Sequence, residues 1–464
     1  MKSLFKSVDH LDKRCYDRYK LSEDILMEHA AFGMTQELKK RCKIGSKVLV
    51  VAGPGNNGGD GVAMARQLLG EYDVRLVMPL GAKSPMCKLQ LERFLACGGK
   101  VYQEIEEADA VVDALFGSGL SKPLKEEIVA LIERLNAMDG LKIACDIPSG
   151  IDPKGAPLPT AFRADLTVTM GARKVALFMD LAKDYVGEVV VADLGVSSAL
   201  YEEPSDMKLL EKEDFHPPYR DRQNSNKGTY GHLSVIAGEK EGAAIMAALA
   251  ALNFGAGLVT VVTYEPIQVP YELMHSSALP PKTTALAVGM GLGLEYSDDD
   301  FKRLVLDTDL PVVVDADLFY DEKILELLRR DDIVLTPHPK EFSSLLELCG
   351  IARLSVEEIQ RDRLGAVDLF CERYPNAVLV LKGANPVIAQ GKERFINPLG
   401  TNALAKGGSG DVLTGFIGAL LAQGYSPLAA AIQGSLAHTL AARRVKRANY
   451  ALTPLELIKA VGTL

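Results

Sequence analysis

Short apolar runs alternate with segments of helical periodicity along almost the whole chain of 464 residues. The runs of the first half are rich in valine, leucine and isoleucine, and each closes at or just before a glycine, aspartate or proline. They lie at residues 47–52, 73–78, 110–115, 142–146, 166–170 and 188–192. Strands that are apolar throughout and separated by helices form parallel sheets with both faces covered. The sequence therefore predicts an α/β fold built on parallel sheets.

A second series of apolar runs follows a polar segment, residues 201–229, that is rich in turn-forming residues. These later runs lie at residues 231–238, 257–263, 285–289, 311–315, 332–336 and 377–382. A single domain usually has roughly 100 to 200 residues. We therefore predict two α/β domains, residues 1–205 and 206–464.

The balance of charge and hydropathy limits the partners that this chain can have. Its net charge of −9 argues against a nucleic-acid partner, because phosphate binding needs a basic face. No segment approaches the roughly 18 apolar residues that span a bilayer, and the N-terminus lacks the apolar stretch of a signal peptide. We predict a cytoplasmic protein with no nucleic-acid or membrane partner, and we also expect a homo-oligomer.

A first glycine cluster, Val-Ala-Gly-Pro-Gly-Asn-Asn-Gly-Gly-Asp-Gly at residues 51–61, separates an apolar strand from a helix. Backbone N–H groups at such a turn can cradle a phosphate, although a tight turn without a ligand gives the same pattern. Asn56 and Asn57 add paired amides among the glycines. Asp60 either caps the helix or approaches a ribose hydroxyl.

Two further strands of the first half end in aspartate, at Asp113 and Asp146. The carboxyl ends of parallel strands meet at one edge of a sheet, where ligands bind, so both carboxylates are expected near the Asn-Asn loop. A pair of carboxylates beside amide and hydroxyl oxygens can hold a hard cation.

A second glycine cluster opens a strongly apolar helix, with Gly407, Gly408 and Gly410 directly before Asp411. Successive N–H groups and the helix N-terminus form an anion hole there. A carboxylate beside such a hole suits phosphoryl transfer, in which it accepts the proton of the attacking hydroxyl. In the other interpretation, Asp411 only caps the helix.

Three motifs of the first half resemble the signature set of the NAD(P)H-hydrate epimerase family: Gly-Pro-Gly-Asn-Asn-Gly-Gly-Asp-Gly, Asp-Ala-Leu-Phe-Gly and Asp-Ile-Pro-Ser-Gly. The resemblance covers residues 1 to about 205 and implies a Rossmann-like three-layer αβα domain. It implies that Asn57, Asp113 and Ser149 hold a potassium ion, and that Asp146 is the catalytic acid/base residue. The residues that it implies for the hydrated dinucleotide are Asn56, Asn57, Gly58, Gly59, Asp60, Gly117, Ser118, Gly119, Leu120, Ser121, Lys122, Pro123 and Asp146.

Two residues of the first half have more than one interpretation. Lys174 matches a family lysine that assists the reaction, and a surface lysine is the other interpretation. His29 stands where the family often has asparagine, and a packing role between helices is the simpler explanation for it.

The Gly-Gly-Ser-Gly-Asp cluster resembles the anion hole of the ribokinase-like superfamily, and further stretches resemble its NAD(P)H-hydrate dehydratases. Among these stretches are Asn-Lys-Gly-Thr-Tyr-Gly at residues 226–231 and Thr-Pro-His-Pro-Lys-Glu at residues 336–341. Two positions depart from the family pattern, Met290 for a proline and Lys340 for a glycine, and either can change loop stiffness. The resemblance implies substrate contacts at Ala243, Gly291, His338 and Asp411, and adenine-nucleotide contacts at Lys382, Gly383, Ala384, Asn385, Pro386 and Gly410.

Taken together, the resemblances imply a nucleotide-repair enzyme with an isomerase and a lyase activity. The first domain would interconvert R- and S-NAD(P)HX, the hydrates of NAD(P)H. The second would phosphorylate the S-hydrate from ADP or ATP, with Asp411 as the catalytic base and Mg²⁺ on the donor phosphates, and would eliminate phosphate. ADP is the expected donor, because fused proteins of this type resemble bacterial ADP users.

Two alternatives remain. The second domain can be a small-molecule kinase of the same superfamily, against which the Thr-Pro-His-Pro and Asn-Lys-Gly-Thr-Tyr-Gly stretches count. The first domain can be a non-enzymatic binding module, as related domains are in mRNA-decapping scaffolds. Retention of Asp60, Asp113 and Asp146 argues against that.

Overall fold

The computed structural model describes residues 1–120 and 122–464. The chain divides into two compact units, Ser3–Ser205 and Asp206–Leu464, and Met1–Lys2 belongs with the second. Within the described part of the chain, none of the helices combines the length and the apolar character needed to cross a membrane.

The first unit is built on a sheet of seven parallel strands in the order β4-β3-β2-β5-β6-β7-β8. After the short strand β1 (Lys2–Ser3), the strands are β2 (Lys47–Ala52), β3 (Asp73–Val77), β4 (Val101–Tyr102), β5 (Ala110–Ala114), β6 (Leu141–Cys145), β7 (Leu166–Met170) and β8 (Glu188–Ala192). Every strand predicted for this half is present. The strands β1 and β4 escaped prediction, because two residues at a sheet edge carry no apolar run.

Helices cover both faces of this sheet, as the apolar strands require. Val48 and Val50 of β2 pack into one hydrophobic cluster, and the intervening Leu49 and Val51 pack into another. Alternate residues of one strand thus reach two cores, which is the reason for its unbroken apolar run. The helices are α1 (Asp9–Asp17), α2 (Glu23–Arg41), α3 (Asn56–Leu68), α4 (Pro85–Ala96), α5 (Glu126–Ala137), α6 (Lys183–Val186) and α7 (Ser198–Tyr201).

The second unit has a larger, mixed sheet in the order β1-β9-β18-β17-β16-β15-β14-β13-β10-β11-β12. Its strands are β9 (Met207–Leu209), β10 (His232–Ile236), β11 (Leu258–Val262), β12 (Met274–Ser276), β13 (Ala285–Val288), β14 (Val312–Val314), β15 (Ile333–Leu335), β16 (Val378–Leu381), β17 (Val387–Gln390) and β18 (Glu393–Ile396). The run from β10 to β16 is parallel, as predicted, whereas β17 is antiparallel to both of its neighbours. In the sequence, this hairpin is indicated by the two-residue turn Gly391-Lys392 between β17 and β18.

The other helices of the second unit pack around α14, which is apolar on all sides. The first turn of α14 carries Asp411. Helix α14 contacts α8 and α15 as well as the strands β13 and β14. This burial fixes the position of Asp411 relative to the carboxyl ends of the central strands. The helices are α8 (Glu241–Asn253), α9 (Asp298–Phe301), α10 (Ile324–Leu327), α11 (Pro339–Leu348), α12 (Val356–Arg361), α13 (Arg363–Arg373), α14 (Ser409–Ala422), α15 (Pro427–Arg444) and α16 (Pro454–Val461).

Candidate functional sites of the two units

A cavity of about 620 Å³ opens in the first unit, where the loops after β2, β5 and β6 meet. It is lined by Val8, Asp9, Asp12, Pro54, Gly55, Asn56, Asn57, Asp60, Leu115, Phe116, Gly117, Ser118, Gly119, Leu120, Lys122, Asp146, Met170 and Lys174. Most of the residues predicted for the dinucleotide thus surround one space. Gly58, Gly59 and Pro123 do not line it, and Ser121 lies outside the described residues.

Most glycines of the first cluster are required by contacts within the protein itself, with backbone at two positions and with side chains at two others. A Cβ on Gly53 would lie 1.8 Å from the Leu115 carbonyl oxygen, and one on Gly58 would lie 1.9 Å from the Gly53 carbonyl oxygen. A Cβ on Gly61 would collide with Ala114 of the neighbouring strand β5. Only Gly55 has open space on this measure and also lines the cavity. Within this cluster, space for a ligand beside the glycine is therefore left at Gly55.

Asn57, Asp113 and Ser149 hold a set of buried oxygen atoms beside this cavity. The amide Oδ1 and Nδ2 of Asn57 are buried and have no hydrogen-bond partner among the described residues. Asp113 is fully buried and accepts hydrogen bonds from Ser149 Oγ at 2.6 Å and from the Ser149 backbone N–H at 2.7 Å. Burial raises the pKa of Asp113 to about 6, although these hydrogen bonds oppose the shift.

Asp146 pairs with Lys174 and lines the same cavity as Asn56 and Asn57. Lys174 Nζ lies 2.6 Å from Asp146 Oδ1, and the lysine is only 2% exposed, which excludes the surface interpretation. Thr169 Oγ1 and the Met170 N–H also donate to Asp146 Oδ1, each at 3.1 Å. These bonds all go to one oxygen, and Asp146 contributes to the cavity wall.

Asp60 also lines the cavity, and no hydrogen bond supports its carboxylate among the described residues. It lies in the second turn of α3, so the capping interpretation is wrong. Burial raises the pKa of Asp60 well above its usual range, and repulsion from Asp146 and Asp12 adds to the shift. Asp12 was not selected from the sequence, because nothing around it in helix α1 resembles a motif.

In the second unit, helix α14 begins with free N–H groups, as the anion-hole prediction requires. The N-cap is Gly408 in the left-handed conformation (φ 87°), where glycine is favoured. The N–H groups of Gly410 and Asp411 donate to no acceptor among the described residues. Asp411 makes no capping hydrogen bond, so it is not held there as a cap.

Asp411 lies close enough to other charged groups, among them Asp315 and Lys382, for their charges to affect its pKa. Burial raises the pKa of Asp411 to about 6, and repulsion from Asp315 adds to the shift while Lys382 opposes it. A carboxylate with such a pKa can accept and return a proton near neutral pH.

Lys382 is held by two acidic residues, Asp315 and Glu341, and Asp315 was not predicted from the sequence. Its Nζ lies 2.7 Å from Asp315 Oδ1 and 3.4 Å from Glu341 Oε2. Thr414 Oγ1 donates to the other oxygen of Asp315 at 2.9 Å. A Cβ on Gly410 would lie 3.5 Å from Lys382 Nζ, so the lysine and the glycine turn that were both predicted for the nucleotide do lie together.

His338 caps helix α11 and is also exposed. Its Nδ1 accepts from the Lys340 and Glu341 N–H groups at 3.1 and 3.2 Å, and its Nε2 lies 2.9 Å from Glu341 Oε1. The side chain is 44% exposed, so the capping role leaves part of the ring accessible. Lys340, which replaces a family glycine, adopts an ordinary helical position in α11.

The remaining predicted residues lie at neighbouring turns. Gly291 has φ 59°, and a Cβ there would lie 2.5 Å from the Lys240 carbonyl oxygen, while Ala243 packs against the core at the start of α8. Gly383 and Ala384 are exposed after β16, whereas Asn385 and Pro386 are buried. Met290, the departure from the family proline, is fully buried in the core.

Two histidines have structural surroundings. His438 is buried behind the second glycine cluster, where its Nε2 lies 2.9 Å from the Ser409 carbonyl oxygen, and burial lowers its pKa to about 4. Neutral His438 therefore fastens α15 to the start of α14. His29 is exposed on α2 and borders the loop after β8, where a Cβ at Gly195 would lie 2.8 Å from its ring, so the expectation that it packs between helices was wrong.

Comparison with known proteins identifies both halves. Residues 23–176 match the family described as YjeF-related protein N-terminus, and residues 233–462 match the family described as NAD(P)H-hydrate dehydratase. A solved ADP/ATP-dependent NAD(P)H-hydrate dehydratase from Bacillus subtilis, co-crystallised with ATP and Mg²⁺, is 30% identical. It covers 55% of this chain and 96% of its own, with a TM-score of 0.46.

Full-length relatives share the same arrangement of the two halves. The bifunctional NAD(P)H-hydrate repair enzyme Nnr of Helicobacter pylori is 46% identical over 100% of both chains. The enzyme of the same name from Coxiella burnetii is 38% identical over 91% of both chains. This chain therefore belongs to the family of bifunctional NAD(P)H-hydrate repair enzymes.

Proposed function

We propose that this enzyme converts hydrated NAD(P)H back to NAD(P)H in two steps, and that each unit carries out one of the steps. The first unit interconverts the R- and S-hydrates in its cavity, and the second dehydrates the S-hydrate at the expense of ADP or ATP. The observation that carries this assignment is the presence of a separate, differently constructed acid/base carboxylate in each unit. Asp146 is paired with Lys174, whereas Asp411 stands beside free N–H groups.

In the first unit, Asp146 is the acid/base residue that acts on the substrate. Lys174, Thr169 and the Met170 N–H hold one of its oxygens and keep the carboxylate oriented at the cavity wall. The dinucleotide would bind to the part of the cavity wall that is formed by Asn56, Asn57, Asp60, Gly117–Leu120 and Lys122. The free N–H groups at the start of α3 suit its phosphates.

The potassium ion proposed for this unit fits the residues present. Asn57 has a buried amide oxygen without a protein partner, and Asp113 and Ser149 add further hard oxygens, which suit an alkali cation. These three residues would hold the ion. A bound cation would supply positive charge beside the cavity and orient the Asn57 amide.

In the second unit, Asp411 is the general base that removes the proton of the S-hydrate hydroxyl. Its pKa of about 6 keeps most of the group ionised at neutral pH and leaves it able to return the proton. The N–H groups of Gly410 and Asp411 would stabilise charge on the transferred phosphoryl group. Lys382, fixed by Asp315, would contact the nucleotide phosphates from the other side of the glycine turn.

The residues described here offer no complete set of protein ligands for Mg²⁺. The carboxylates of Asp315 and Glu341 are already bound to Lys382, Thr414 and His338. In the described part of the chain, no group of three or more histidine, cysteine, aspartate or glutamate residues suits a metal ion. Any Mg²⁺ would therefore depend on ligands from the nucleotide phosphates, as is usual for this ion.

ADP is the donor that we propose. Because NAD(P)H is used by cytoplasmic dehydrogenases, we propose that the enzyme acts in the cytoplasm. Its homo-oligomeric state stays a prediction.

The experiment that tests the proposed function is the recovery of reduced-nicotinamide absorbance from purified R-NADHX with K⁺, Mg²⁺ and either ADP or ATP. Recovery supports both activities and identifies the donor. Recovery from the S-hydrate alone would leave the first unit a binding module, and recovery from neither would favour the kinase alternative.

A further inference from the structure

Asp12 is a second carboxylate at the wall of the first unit's cavity that is held by a buried partner. The Tyr201 hydroxyl donates to Asp12 Oδ1 at 2.6 Å, and the Tyr201 side chain is only 1% exposed. Asp12 lines the same cavity as Asp146 and Lys174. A carboxylate at a cavity wall, oriented by one buried donor, has the arrangement of an acid/base residue with its positioning partner.

The tyrosine is itself fixed by the surrounding backbone. A Cβ at Gly171 would lie about 2.5 Å from the Tyr201 ring and hydroxyl, so glycine gives the ring its place beside β7. Arg14, on the same helix as Asp12, donates to the Leu200 carbonyl oxygen at 3.0 Å and also binds Tyr201 O and Glu203. Helix α1 and the Tyr201 segment are thereby fastened together.

The surroundings of Asp12 and Asp146 differ in a way that suits two roles. Asp146 has the ammonium group of Lys174 2.6 Å from its Oδ1. Asp12 has no such partner, and burial raises its pKa while the Tyr201 hydrogen bond and Lys174 oppose the shift. Two carboxylates in unlike environments are the usual basis for separate acid and base functions.

The reaction needs two such groups. Water adds to the enamine of a dihydronicotinamide so that the hydroxyl stands on the carbon next to the ring nitrogen. To invert that carbon, the nitrogen lone pair forms a C=N bond while the C–O bond breaks, and the hydroxyl takes a proton and leaves as water. A water then adds to the opposite face, the C=N electron pair returns to nitrogen, and the incoming water gives up a proton.

We propose that Asp12 and Asp146 are the two acid/base residues of the epimerase site, one for each face of the nicotinamide ring, an inference that rests on the proposed function of the first unit. One carboxyl group, protonated, gives its proton to the departing hydroxyl. The other, ionised, accepts a proton from the incoming water. The two residues exchange protonation states in each turnover, and neither an oxidant nor a reductant is consumed.

The same arrangement predicts a partial reaction that a merely structural Asp12 would not produce. With one carboxylate removed, the other can still expel water and return it to its own face, which exchanges the hydroxyl oxygen without inversion. Oxygen exchange and epimerisation should then separate. Asp12→Asn is expected to exchange oxygen in one epimer only, and Asp146→Asn in the other epimer only.

The experiment uses the full chain without adenine nucleotide, so that dehydration does not consume the substrate. Purified R- and S-NADHX are incubated separately in ¹⁸O-water, and exchange and epimerisation are followed by chromatography and mass spectrometry. Asp12→Asn should lower epimerisation at least about a hundredfold and retain exchange in one epimer, which also demonstrates a folded site. Asp17→Asn is the matched control, because Asp17 lies on the same helix, is exposed and does not line the cavity, so both rates should stay unchanged.

Tyr201→Phe provides the second variant. The hydroxyl lowers the pKa of Asp12, so its removal should move the limb of the epimerisation pH profile that belongs to Asp12 to higher pH. The other charged or titratable groups around Asp12 are Lys174, Asp146 and Asp60, with Asp9, Cys15 and Tyr16 on its own helix. These remain in the variant, so an unmoved profile contradicts the proposal.

Four further outcomes would overturn the inference. Exchange in both epimers, or in neither, by folded Asp12→Asn would exclude a one-face role. The one-epimer pattern in Asp60→Asn instead would assign the role to Asp60. If the unaltered enzyme epimerises without oxygen exchange, the function stands and this inference is wrong. If it neither exchanges nor epimerises, the proposed function of the first unit fails as well.

Discussion

The two glycine-rich turns, residues 53–61 in the first unit and residues 407–411 in the second, look alike in sequence but differ in what surrounds them. In the first turn, a Cβ on Gly53 or Gly58 would lie under 2 Å from a backbone oxygen of the protein itself. In the second turn, a Cβ on Gly407 would have nothing within 4 Å and one on Gly410 would lie 3.5 Å from Lys382 Nζ, whereas one on Gly408 would lie 2.7 Å from Pro454 Cγ. The first turn is closed by the backbone at Gly53 and Gly58, and the second is open at Gly407 and Gly410.

This difference shows that a glycine motif has two physical explanations that sequence cannot separate. In the closed turn, glycine permits the ends of β2 and β5 and the start of α3 to touch. The first N–H groups of the following helix are free to bind an anion in both turns, but the open turn also leaves space beside Gly407 and Gly410. The predictions below test this contrast, from the largest expected effect to the smallest.

The sharpest test of the closed turn is Gly58→Ala. Its Cβ would lie 1.9 Å from the Gly53 carbonyl oxygen, so the backbone must move, and we expect a loss of about 4 kcal/mol or more in the free energy of unfolding. Denaturant unfolding followed by circular dichroism measures this. Gly55→Ala is the matched control in the same turn, with open space, and should cost about 1 kcal/mol or less.

The open turn should respond in the opposite way. Gly407→Ala meets no atom within 4 Å and should leave the unfolding free energy almost unchanged while weakening the binding of ADP or ATP. If Gly407→Ala instead unfolds the second unit, or if Gly58→Ala is harmless, the contrast between the two turns is wrong.

Removal of the carboxylate at the open turn should lower dehydration without affecting epimerisation. Asp411→Asn should reduce the rate of dehydration of S-NADHX about 10²- to 10⁴-fold, and R-to-S conversion should be unchanged. In the unaltered enzyme, kcat/KM for dehydration should fall as the pH drops through about 6, because protonated Asp411 cannot accept the hydroxyl proton. Equal loss of both activities in a folded variant would refute the division between the units.

Asp411→Asn should also stabilise the second unit at neutral pH. The folded-state pKa of Asp411 is raised, so its ionisation opposes folding as the pH rises from about 4 to about 6 and above. The melting temperature of the variant at pH 7 should therefore be higher than that of the unaltered enzyme, and the difference should disappear below pH 4.

Loss of the acidic partner of Lys382 should affect nucleotide binding more than catalysis. Asp315→Asn removes the charge that lies 2.7 Å from Lys382 Nζ, and we expect the KM for the nucleotide to rise about tenfold with a smaller change in kcat. Thr414→Val leaves the carboxylate but removes one of its hydrogen bonds, so its effect should be smaller. A tenfold fall in kcat at constant KM would show that Lys382 acts on the reaction itself.

The smallest effect concerns the Asn57 amide of the closed turn, whose buried Oδ1 and Nδ2 have no hydrogen-bond partner among the described residues. If Asn57 holds potassium, KCl should raise the melting temperature of the first unit by a few degrees over choline chloride at equal ionic strength. Asn57→Ala should abolish this shift. Asn56→Ala, whose amide binds Glu23, should retain it. A potassium-independent melting temperature in the unaltered enzyme would exclude the ion from this site.

Much of the fold followed from the sequence, because buried parallel strands must be apolar on both faces. The strands that were missed are short or lie at sheet edges, as with Val101–Tyr102, or belong to a hairpin that interrupts the parallel order, as with β17 and β18. At the sites, the sequence identified Asp146 and Asp411 because each stands in a recognisable motif. It did not identify Asp12, Tyr201 or Asp315, which become neighbours of the sites only through folding.

The sequence by itself determined the two α/β units, their order along the chain and the family to which the chain belongs, because apolar periodicity and local motifs are properties of adjacent residues. Only the tertiary structure decided which carboxylate faces an ammonium group, which is buried without one, and which glycine turn is open. These properties depend on distances between segments far apart in the chain, such as Asp12 and Tyr201 or Asp315 and Lys382. Electrostatic energies and steric contact depend on those distances and not on sequence separation.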